Sequence, residues 1–507
     1  MINELKDNYG SKIISLEEII SIIGPITRQK KVAMCHGVFD VVHPGHIRHL
    51  AYAKSKADIL IVSITCDRWI TKGPYRPHVP ENLRAYSLSA LNIVDYIIID
   101  KNPNPLENLR VIKPNFFAKG FEYSNNLPQE TLEEMEVVVG FGGEMLFSPG
   151  DVVYSSSNLI SNSSPDIGLA KLKTMMEQLG ITFEDIQDAV ESISGIKVHV
   201  VGDTIIDSFT RTSLIGGNTK TPTFSVRYES REDYVGGAGI VAQHLKSAGA
   251  EVTFSTVLGN DELGKYAKEV IESKGIKLNT IEENNRPTTN KNAIICADYR
   301  LLKIDTLDNA SISKDVVLKL QNYISNTNCD CIIFSDFRHG IFNKGTIDDL
   351  KTSIPENCFR VADSQLASRW GNITEFVDFD LITPNEREAR FAIADQDCNI
   401  VQLSHLIKDK AKSSNVILKL GSKGLFFLGK DVYHSLDSFT KNPIDPVGSG
   451  DALLAYASLV MKKSGSIALA CIVGNLAAAC ECEFDGNIPV SPETILNKLD
   501  IIKQKVF

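Results

Sequence analysis

Short apolar runs alternate with segments of helical spacing through the first third of the chain. The apolar runs predict strands at residues 31–34, 58–65, 96–99, 116–118 and 144–147. Helical spacing predicts helices at residues 16–20 (capped by Ser15), 47–55, 80–91 and 106–112. Parallel strands joined by helices form right-handed crossovers, so this order predicts a doubly wound α/β domain. Ligands of such sheets bind at the carboxyl ends of the strands.

A polar, turn-forming run at residues 161–166 separates this region from a second one with the same alternation. There the pattern predicts strands at residues 198–201, 252–257, 332–335, 360–362, 381–383 and 416–419, with a pair of short strands within 293–304. We therefore predict an α/β protein of two doubly wound domains, each with a mainly parallel sheet. The expected boundaries are 1–160 for the first domain, 161–184 for a linker helix and 185–507 for the second domain.

Composition and charge narrow the class of protein. The chain of 507 residues is too long for one ordinary domain, and 43% apolar with 23% charged residues is typical of a globular protein. A net charge of −10 argues against a nucleic-acid partner and a basic membrane-binding surface. We find no apolar run that predicts a membrane span, and residues 1–10 do not resemble a secretion signal. The ten cysteines are scattered without zinc-site spacing, so we expect reduced thiols in a cytoplasmic protein.

Two histidines stand where the first predicted strand turns into a helix. His43 and His46 lie at the predicted helix N-terminus, where unpaired backbone N–H groups favour a phosphate. Gly37 and Gly45 allow the backbone to approach a ligand closely. Two imidazoles beside a phosphate can stabilise the charge that develops on an α-phosphate and its leaving pyrophosphate. Taken alone, the pair is equally compatible with one buried structural histidine and one surface histidine.

A glycine-rich turn at residues 445–451 opens a helix late in the chain. Gly448, Ser449 and Gly450 predict a nest of backbone N–H groups that can hold the oxygens of a transferring phosphoryl group. Asp451 follows the nest and is placed to take a proton from an attacking hydroxyl. A metal there would be Mg²⁺, bound to the phosphates, and its protein ligands stay unknown. The simpler alternative is a tight turn with a capping aspartate, since short glycine motifs give many false matches.

The 445–451 turn resembles the Asp-Thr-x-Gly-Ala-Gly-Asp signature of the ribokinase-like (PfkB) sugar kinases. The resemblance covers residues 185–490 and implies a ribokinase-like fold, ATP and Mg²⁺ as cofactors, and Asp451 as catalytic base. It implies that Asp207, Gly236 and Gly237 bind the sugar. The residues that it implies for nucleotide and phosphate binding are Asn385, Glu386, Lys419, Gly421, Gly448, Ser449, Gly450 and Asn475.

The run from Gly37 to His46 resembles the small Rossmann-like nucleotidyltransferases with a His-x-Gly-His motif. Further blocks of that cytidylyltransferase-like family follow in the same order along the chain. The resemblance implies that His43 and His46 are catalytic. The residues that it implies for binding the nucleotide and its phosphates are Gly37, Phe39, Lys72, Arg76, Arg84, Lys119, Ser155, Ser156 and Ser157.

Together the two domains resemble the bifunctional heptose kinase/nucleotidyltransferases with the domain order reversed. This resemblance implies that ATP phosphorylates a sugar or sugar phosphate, and that ATP or CTP then donates a nucleotidyl group to a sugar 1-phosphate with release of pyrophosphate. The product would be a nucleotide-activated sugar, similar to ADP-heptose, for surface polysaccharide, and we expect a homodimer. Residues 214–222 lack the Arg-containing run that the heptose enzymes carry, which leaves the sugar open.

Several alternatives remain open at this point. The same blocks fit a CTP-dependent cytidylyltransferase for a polyol or sugar phosphate, joined to a kinase for a non-heptose substrate. They also fit a chain in which one domain only binds or dimerises. Lys72, Arg76 and Arg84 are compatible with solvated surface charges, and the three serines are compatible with a helix cap. In each catalytic alternative the partners are small sugars or sugar phosphates and nucleoside triphosphates.

Overall fold

The computed structural model describes residues 10–25, 27–71, 73, 76–120, 128–147, 167–216, 224–297, 299–366, 370–440, 443–484 and 488–506. The chain divides into two compact units. Unit 1 comprises Met1–Ile167 and Asp397–Gln402, and unit 2 comprises Gly168–Gln396 and Leu403–Phe507. The predicted α/β fold class is confirmed, because each unit contains a mainly parallel sheet with helices between its strands.

Unit 1 contains one sheet of five parallel strands. These are β1 (Val32–Gly37), β2 (Ile59–Thr65), β3 (Tyr96–Asp100), β4 (Phe116–Lys119) and β5 (Glu144–Phe147). The helices between and before them are α1 (Leu16–Ile23), α2 (Pro44–Lys54), α3 (Glu81–Ser89), α4 (Leu106–Ile112) and α5 (Gln129–Gly140). The strand order β3-β2-β1-β4-β5 places the carboxyl ends of β2, β1 and β4 side by side. The five strands predicted from the apolar runs are all present.

The sheet of unit 1 is covered on both faces, which is typical of parallel strands. In β2, Leu60 and Val62 belong to one apolar core cluster, whereas Ile61 between them belongs to a second cluster. Leu50 of α2 packs in the first cluster and Leu109 of α4 in the second. Because successive side chains of a strand point to opposite faces, one apolar strand stabilises both layers. Polar functional groups therefore concentrate at the ends of the strands.

Unit 2 contains two sheets. Its strands are β6 (Lys197–Gly202), β7 (Thr204–Gly216), β8 (Ser225–Gly237), β9 (Glu251–Gly259), β10 (Lys277–Glu283), β11 (Asn290–Cys296), β12 (Tyr299–Thr306), β13 (Cys331–Asp336), β14 (Phe359–Ser364), β15 (Leu381–Ile382), β16 (Asn415–Lys419), β17 (Leu425–Leu428) and β18 (Tyr433–Leu436). The main sheet has the order β10-β9-β6-β13-β14-β15-β16-β17-β18, in which β17 pairs antiparallel with both β16 and β18 and the other pairs are parallel. The second sheet has the order β12-β11-β7-β8.

The second sheet was only half predicted. The expected pair of short strands within residues 293–304 corresponds to β11 and β12, whereas β7 and β8 were not predicted. The side chains of β8 are mostly exposed or half-buried over most of its length, so its sequence carries no run of apolar residues. A strand with two partly solvated faces has no strong hydrophobic signal, and its existence depends on pairing with β7.

The helices of unit 2 pack on both sides of the main sheet. They are α6 (Ile167–Leu179), α7 (Phe183–Glu191), α8 (Ala238–Ser247), α9 (Glu262–Ser273), α10 (Lys314–Asn326), α11 (Lys344–Lys351), α12 (Glu386–Ile393), α13 (Ile400–Ala411), α14 (Ser449–Ser464), α15 (Ile467–Glu481) and α16 (Pro492–Val506). α14 and α15 are buried along most of their length, and a Cβ on Gly474 would lie 3.2 Å from the carbonyl oxygen of Leu453. This close contact fixes α14, whose N-terminus carries Asp451. Across the described ranges, the helices are too short or too polar to cross a membrane.

Candidate active sites

The histidine segment of unit 1 has a defined geometry at the end of β1. Phe39 turns the chain with a left-handed φ of 49°, and its ring lies 3.3 Å from where a Cβ on Gly37 would be. His43 caps α2, because its Nδ1 accepts the Gly45 N–H at 3.2 Å. The rings of His43 and His46 stack with their centroids 3.8 Å apart. Burial lowers the pKa of His43, which favours the neutral imidazole. The two rings thus lie together at a helix N-terminus, the arrangement that a phosphate site needs.

Asp40 organises the loop that leads to α3. Its buried carboxylate accepts the backbone N–H groups of His78 at 2.7 Å and Val79 at 2.9 Å. It also accepts a hydrogen bond of 2.9 Å from Arg76 Nη1. Hydrogen bonds to an ionised acceptor are strong, so Asp40 anchors Arg76 beside the histidine segment. We assigned Asp40 no role from the sequence, although its position directly after the glycine turn was a usable signal.

Arg84 has a different environment from the phosphate contact that we expected. Its side chain is 0% exposed, and its Nη2 donates to Asp67 Oδ1 at 2.6 Å. It also donates to the backbone carbonyls of Val79 at 3.0 Å, Thr65 at 2.9 Å and Val38. The guanidinium is therefore directed at loop carbonyls inside the unit, and its contact with the nucleotide stays a prediction. The alternative of a solvated surface charge is wrong for this residue.

Lys119, the last residue of β4, is held by α5. Its ammonium lies 3.2 Å from Thr131 Oγ1 and pairs with the carboxylate of Glu134. Both side chains of the ion pair are nearly buried, with 11% of Lys119 and 5% of Glu134 exposed. The ammonium therefore lies in an enclosed position at the carboxyl edge of the sheet, not in solvent.

Some predicted residues of unit 1 lie outside the described part of the chain. These are Lys72, Ser155, Ser156 and Ser157. Their assignment to the nucleotide stays a prediction. The same holds for most of the 214–222 segment of unit 2, of which residues 217–223 are outside the description.

In unit 2, the glycine-rich turn forms the N-terminus of α14. Gly448 is the capping residue, with a left-handed φ of 88° that favours glycine. Ser449 Oγ donates to the Pro446 carbonyl at 2.8 Å, which fixes the turn. Asp451 lies in the first turn, 8% exposed, and its Oδ1 is buried without a hydrogen-bond partner among the described residues. Burial, reinforced by the charge of Asp363, raises the pKa of Asp451 to about 7. A group with that pKa is poised to accept a proton near neutral pH.

Lys419, at the end of β16, supplies a positive charge close to this turn. Its ammonium donates to Asp363 Oδ1 at 2.7 Å, and Thr383 Oγ1 donates to the same oxygen at 2.8 Å. A Cβ on Gly450 would lie 3.6 Å from Lys419 Nζ, so the lysine lies beneath the nest. Burial alone would lower the pKa of Lys419, but the charges of Asp363 and Glu388 outweigh it and raise the pKa. The lysine is therefore charged beside the glycine turn that precedes Asp451.

The structure brings Glu388 to this cluster and not Glu386. Glu386 Oε1 pairs with Arg390 Nε at 2.8 Å along α12. Glu388 is 4% exposed, and burial raises its pKa to about 7 while Lys419 opposes the rise. Asn385 and Glu388 form a reciprocal cap, since the Glu388 N–H donates to Asn385 Oδ1 at 2.9 Å and the Asn385 N–H donates to Glu388 Oε2 at 2.7 Å. The capping-box spacing of three residues was the sequence signal that we missed.

The predicted sugar-binding residues lie on the second sheet. Asp207 of β7 pairs in register with Tyr234 of β8 on one side and with Lys291 of β11 on the other. Gly237 has a φ of 61°, and a Cβ there would lie 2.5 Å from a backbone carbonyl oxygen, so only glycine fits this turn into α8. Its neighbour Gly236 pairs with Ile205 of β7, one position before the end of the ladder. The three residues Asp207, Gly236 and Gly237 thus lie on adjacent strands of the second sheet, and their contact with a sugar stays a prediction.

Lys291 was not predicted and is the main addition to the sugar side. Burial and the charge of Lys303 lower its pKa, while Asp207 and Asp305 oppose that shift. Its cross-strand partner on β12 is Asp305. A half-buried lysine facing a carboxylate on each side provides a cation within the polar surface of the sheet. No sequence signal pointed to Lys291, because only the strand register connects it to Asp207.

Gly421 and Asn475, which were also predicted to bind the nucleotide, contact or shape the backbone near β16 and β18. Gly421 follows β16 with a φ of 61° and opens a short turn, with open space where its Cβ would be. Asn475 of α15 is 4% exposed, and its Nδ2 donates to the Asp437 carbonyl at 2.9 Å. Asn475 therefore ties α15 to the segment that follows β18, and its contact with a nucleotide stays a prediction.

The comparisons with known proteins can now be set against this geometry. The pfkB family carbohydrate kinase profile matches residues 196–494, and the cytidylyltransferase-like profile matches residues 34–162. The chain is 26% identical over 291 residues to Bifunctional protein HldE of Campylobacter fetus subsp. fetus, which covers 56% of this chain and 62% of that protein. It is 34% identical over 169 residues to Bifunctional protein HldE of Caulobacter sp. (strain K31), which covers 32% and 34%. Each match thus spans less than two thirds of the relative.

A solved structure supports the same fold for unit 2. Phosphofructokinase-2 from Escherichia coli in complex with substrates and products superposes with a TM-score of 0.52, at 15% identity, over 61% of this chain and 99% of that one. At this identity the likeness establishes the fold alone. The kinase profile covers more than half of the chain, and it includes the helices that carry Asp451 and Asn475. The chain belongs to the pfkB family of carbohydrate kinases, and a cytidylyltransferase-like domain precedes its kinase domain.

Proposed function

We propose that this chain is a bifunctional enzyme, in which unit 2 is a sugar kinase and unit 1 is a nucleotidyltransferase acting on a sugar 1-phosphate. The observation that carries the proposal is Asp451, a buried carboxylate with an unpartnered oxygen at a glycine nest and a charged lysine nearby. The stacked pair of His43 and His46 at a second helix N-terminus supports the second activity. The relatives named above as bifunctional agree with two activities in one chain.

In the kinase step, Asp451 takes the proton from a sugar hydroxyl as the hydroxyl oxygen attacks the γ-phosphorus of ATP. The bond from that phosphorus to the β-γ bridging oxygen breaks, and ADP leaves. Backbone N–H groups of the Gly448–Gly450 nest and the Lys419 ammonium stabilise the negative charge on the transferring oxygens. Mg²⁺ would neutralise phosphate charge when bound with ATP, and carboxylates such as Asp363 and Glu388 fit a hard cation of that kind.

The sugar side supports a hydroxylated acceptor that carries an anionic group. Asp207 accepts hydrogen bonds from hydroxyls, whereas Lys291 and Lys303 favour negative charge. The acceptor that fits this surface is a sugar or sugar phosphate. If it already carries a phosphate, the kinase product is a bisphosphate, and a separate phosphatase must remove one group before nucleotidyl transfer.

In the nucleotidyl step, a phosphate oxygen of the sugar 1-phosphate attacks the α-phosphorus of ATP or CTP. The bond to the bridging oxygen of the β-phosphate breaks, and pyrophosphate leaves. His43 and His46 stabilise the α-phosphate charge, and the cations of Arg76 and Lys119 stabilise the leaving group. The product is a nucleotide-activated sugar that suits surface polysaccharide synthesis. We further propose that the enzyme works in the cytoplasm as a homodimer, and exposed apolar side chains of the second sheet, such as Leu302 and Ile304, support such an interface.

The test measures the two products separately in the full chain. ADP release is followed with ATP and a panel of sugars and sugar phosphates. Pyrophosphate release is followed with each of four nucleoside triphosphates and a panel of sugar 1-phosphates and polyol phosphates. We expect Asp451→Asn to abolish only ADP release and His46→Ala to abolish only pyrophosphate release. If one substitution leaves both products unchanged, its domain is a binding or dimerisation module and the proposal fails for that domain.

A further inference from the structure

The ion pair between Lys119 and Glu134 of unit 1 is nearly buried and lies at the carboxyl edge of the sheet. Lys119 is the last residue of β4. The residue before it, Ala118, pairs with Cys35 of the neighbouring strand β1. Burial and the charge of Lys119 both lower the pKa of His36, so the ammonium lies close to the end of β1. That end carries the turn into the histidine segment. The lysine is thus directed at the same edge of the sheet as the proposed triphosphate site.

α5 presents two polar groups to this one ammonium. Thr131 and Glu134 are three residues apart, so they lie on the same face of the helix, and both are buried there with Val138. Thr131 is 1% exposed and Glu134 is 4% exposed. A carboxylate and a hydroxyl from successive turns hold the ammonium from one side, which fixes the direction of an otherwise flexible side chain.

Burial of the Glu134 carboxylate costs desolvation free energy, so its place in the core calls for an explanation. Burial raises the pKa of Glu134, and the hydrogen bond and charge of Lys119 oppose that rise. An apolar pair of similar size would avoid this desolvation cost, so a buried ion pair is weak evidence for a purely stabilising role. A preorganised cation at a phosphate site, in contrast, requires a partner that keeps the ammonium charged and in place before substrate arrives.

We propose that Glu134, with Thr131, is a positioning residue for nucleotidyl transfer that holds the Lys119 ammonium toward the triphosphate. The proposal rests on the proposed nucleotidyltransferase function of unit 1. Glu134 acts through Lys119 and does not itself contact the nucleotide. Its removal therefore weakens recognition of the triphosphate more than it changes the chemical step.

The test compares Glu134→Gln with Glu133→Gln, its exposed neighbour on the same helix. Pyrophosphate release by the full chain is measured with ATP and with CTP, using the sugar 1-phosphate or polyol phosphate that the wild type accepts. We expect Glu134→Gln to raise KM for the triphosphate at least tenfold with kcat changed less than threefold. Glu134→Asp, which keeps the charge, recovers part of the loss. Glu133→Gln and the ADP release of unit 2 serve as controls and stay at wild-type values.

A double-mutant cycle with Lys119→Ala separates positioning from a structural role. Glu134→Gln should add no further loss in the Lys119→Ala background. If the two losses multiply, or if Glu134→Gln lowers the melting temperature without changing KM, the inference is overturned and the proposed function stands. If Glu134→Gln does not fold, Thr131→Val takes its place, and an unchanged KM in that variant also overturns the inference. If the wild type releases no pyrophosphate with any substrate, the proposed function fails and the inference falls with it.

Discussion

Replacement of Arg84 by methionine tests whether this residue is a structural brace or a phosphate ligand. Methionine keeps much of the apolar stem of arginine and removes the guanidinium. The side chain is 0% exposed and pairs with Asp67, whose side chain is 8% exposed. A phosphate ligand would need to reach the crevice, whereas a brace needs only its internal partners. If Arg84 is a phosphate ligand, the variant should be defective in binding the triphosphate. If Arg84 is a structural brace, the variant should be defective in stability.

The expected loss of stability follows from the groups that lose the guanidinium as a partner. Breaking a buried ion pair by removing one partner costs about 3–5 kcal/mol, because the remaining charge is uncompensated. The carbonyls of Val38, Thr65 and Val79 lose a donor as well. For a unit of this size, a loss of about 3–5 kcal/mol corresponds to a drop in melting temperature of roughly 6–20 °C.

The loss should depend on pH through Asp67. Burial already raises the pKa of Asp67 to about 6, and the charge of Arg84 opposes that rise. Without Arg84 the pKa of Asp67 rises further above its unfolded value. A carboxyl group whose pKa is raised by folding contributes stability at low pH, and this contribution is lost as the pH rises through the folded pKa. The variant should therefore be closer to the wild type at pH 5 than at pH 8.

The assay uses tryptophan fluorescence in urea. The chain has two tryptophans, and a Trp370→Phe background leaves Trp69, which lies two residues from Asp67, as the reporter of unit 1. Arg110→Met, an exposed arginine on α4, is the matched control and should change the free energy of unfolding by less than about 0.5 kcal/mol. An unchanged urea midpoint in Arg84→Met together with a raised KM for the triphosphate would refute the brace.

Three further predictions concern unit 2. Asp451→Asn should lower the rate of ADP release by about 10²- to 10⁴-fold while the thermal midpoint of the chain stays constant, because a general base contributes in that range. The kcat/KM of ADP release in the wild type should rise with pH to a plateau with a midpoint near 7, since Asp451 must lose its proton. Glu388→Gln should move this midpoint to lower pH, because it removes a negative charge near Asp451. Gly424→Ala should destabilise unit 2 by roughly 3 kcal/mol in urea titrations, since the new Cβ would lie 2.0 Å from the Leu436 carbonyl oxygen. Gly421→Ala, whose Cβ would lie in open space, should destabilise unit 2 by only about 1 kcal/mol.

Local features could be predicted because neighbouring residues alone determine them. Apolar runs located the five strands of unit 1 and β6, β9, β13, β14, β15 and β16 of unit 2, since a strand buried on two faces needs apolar side chains throughout, whereas β10, β17 and β18 were not predicted. Ser15 was expected to cap the first helix, and the Glu18 N–H donates to its Oγ at 3.2 Å. The glycine turns before α2 and α14 were recognised for the same reason, as a tight turn into a helix needs small residues at adjacent positions.

The environment of charged side chains could not be predicted from the sequence. Arg76 and Arg84 are close together in the sequence and were predicted to have the same role. Arg84 is fully buried against loop carbonyls, whereas Arg76 extends from a loop to Asp40. Glu386 and Glu388 differ by two positions, and only the orientation of α12 decides which of them meets Lys419. Such choices depend on which face of an element is covered, and burial changes a charge far more than sequence context does.

The chain by itself determined the two α/β units, most of their buried strands and the position of both glycine turns, because hydrophobic alternation and glycine turns are properties of short segments. Tertiary structure decided how distant segments combine. Lys291 meets Asp207 only through the register of β11 and β7, and Asp363 meets Lys419 only across the order of the main sheet. These contacts bring together residues 56 to 84 positions apart, and their strength comes from the low dielectric of the interior, which forms only when the sheets have assembled.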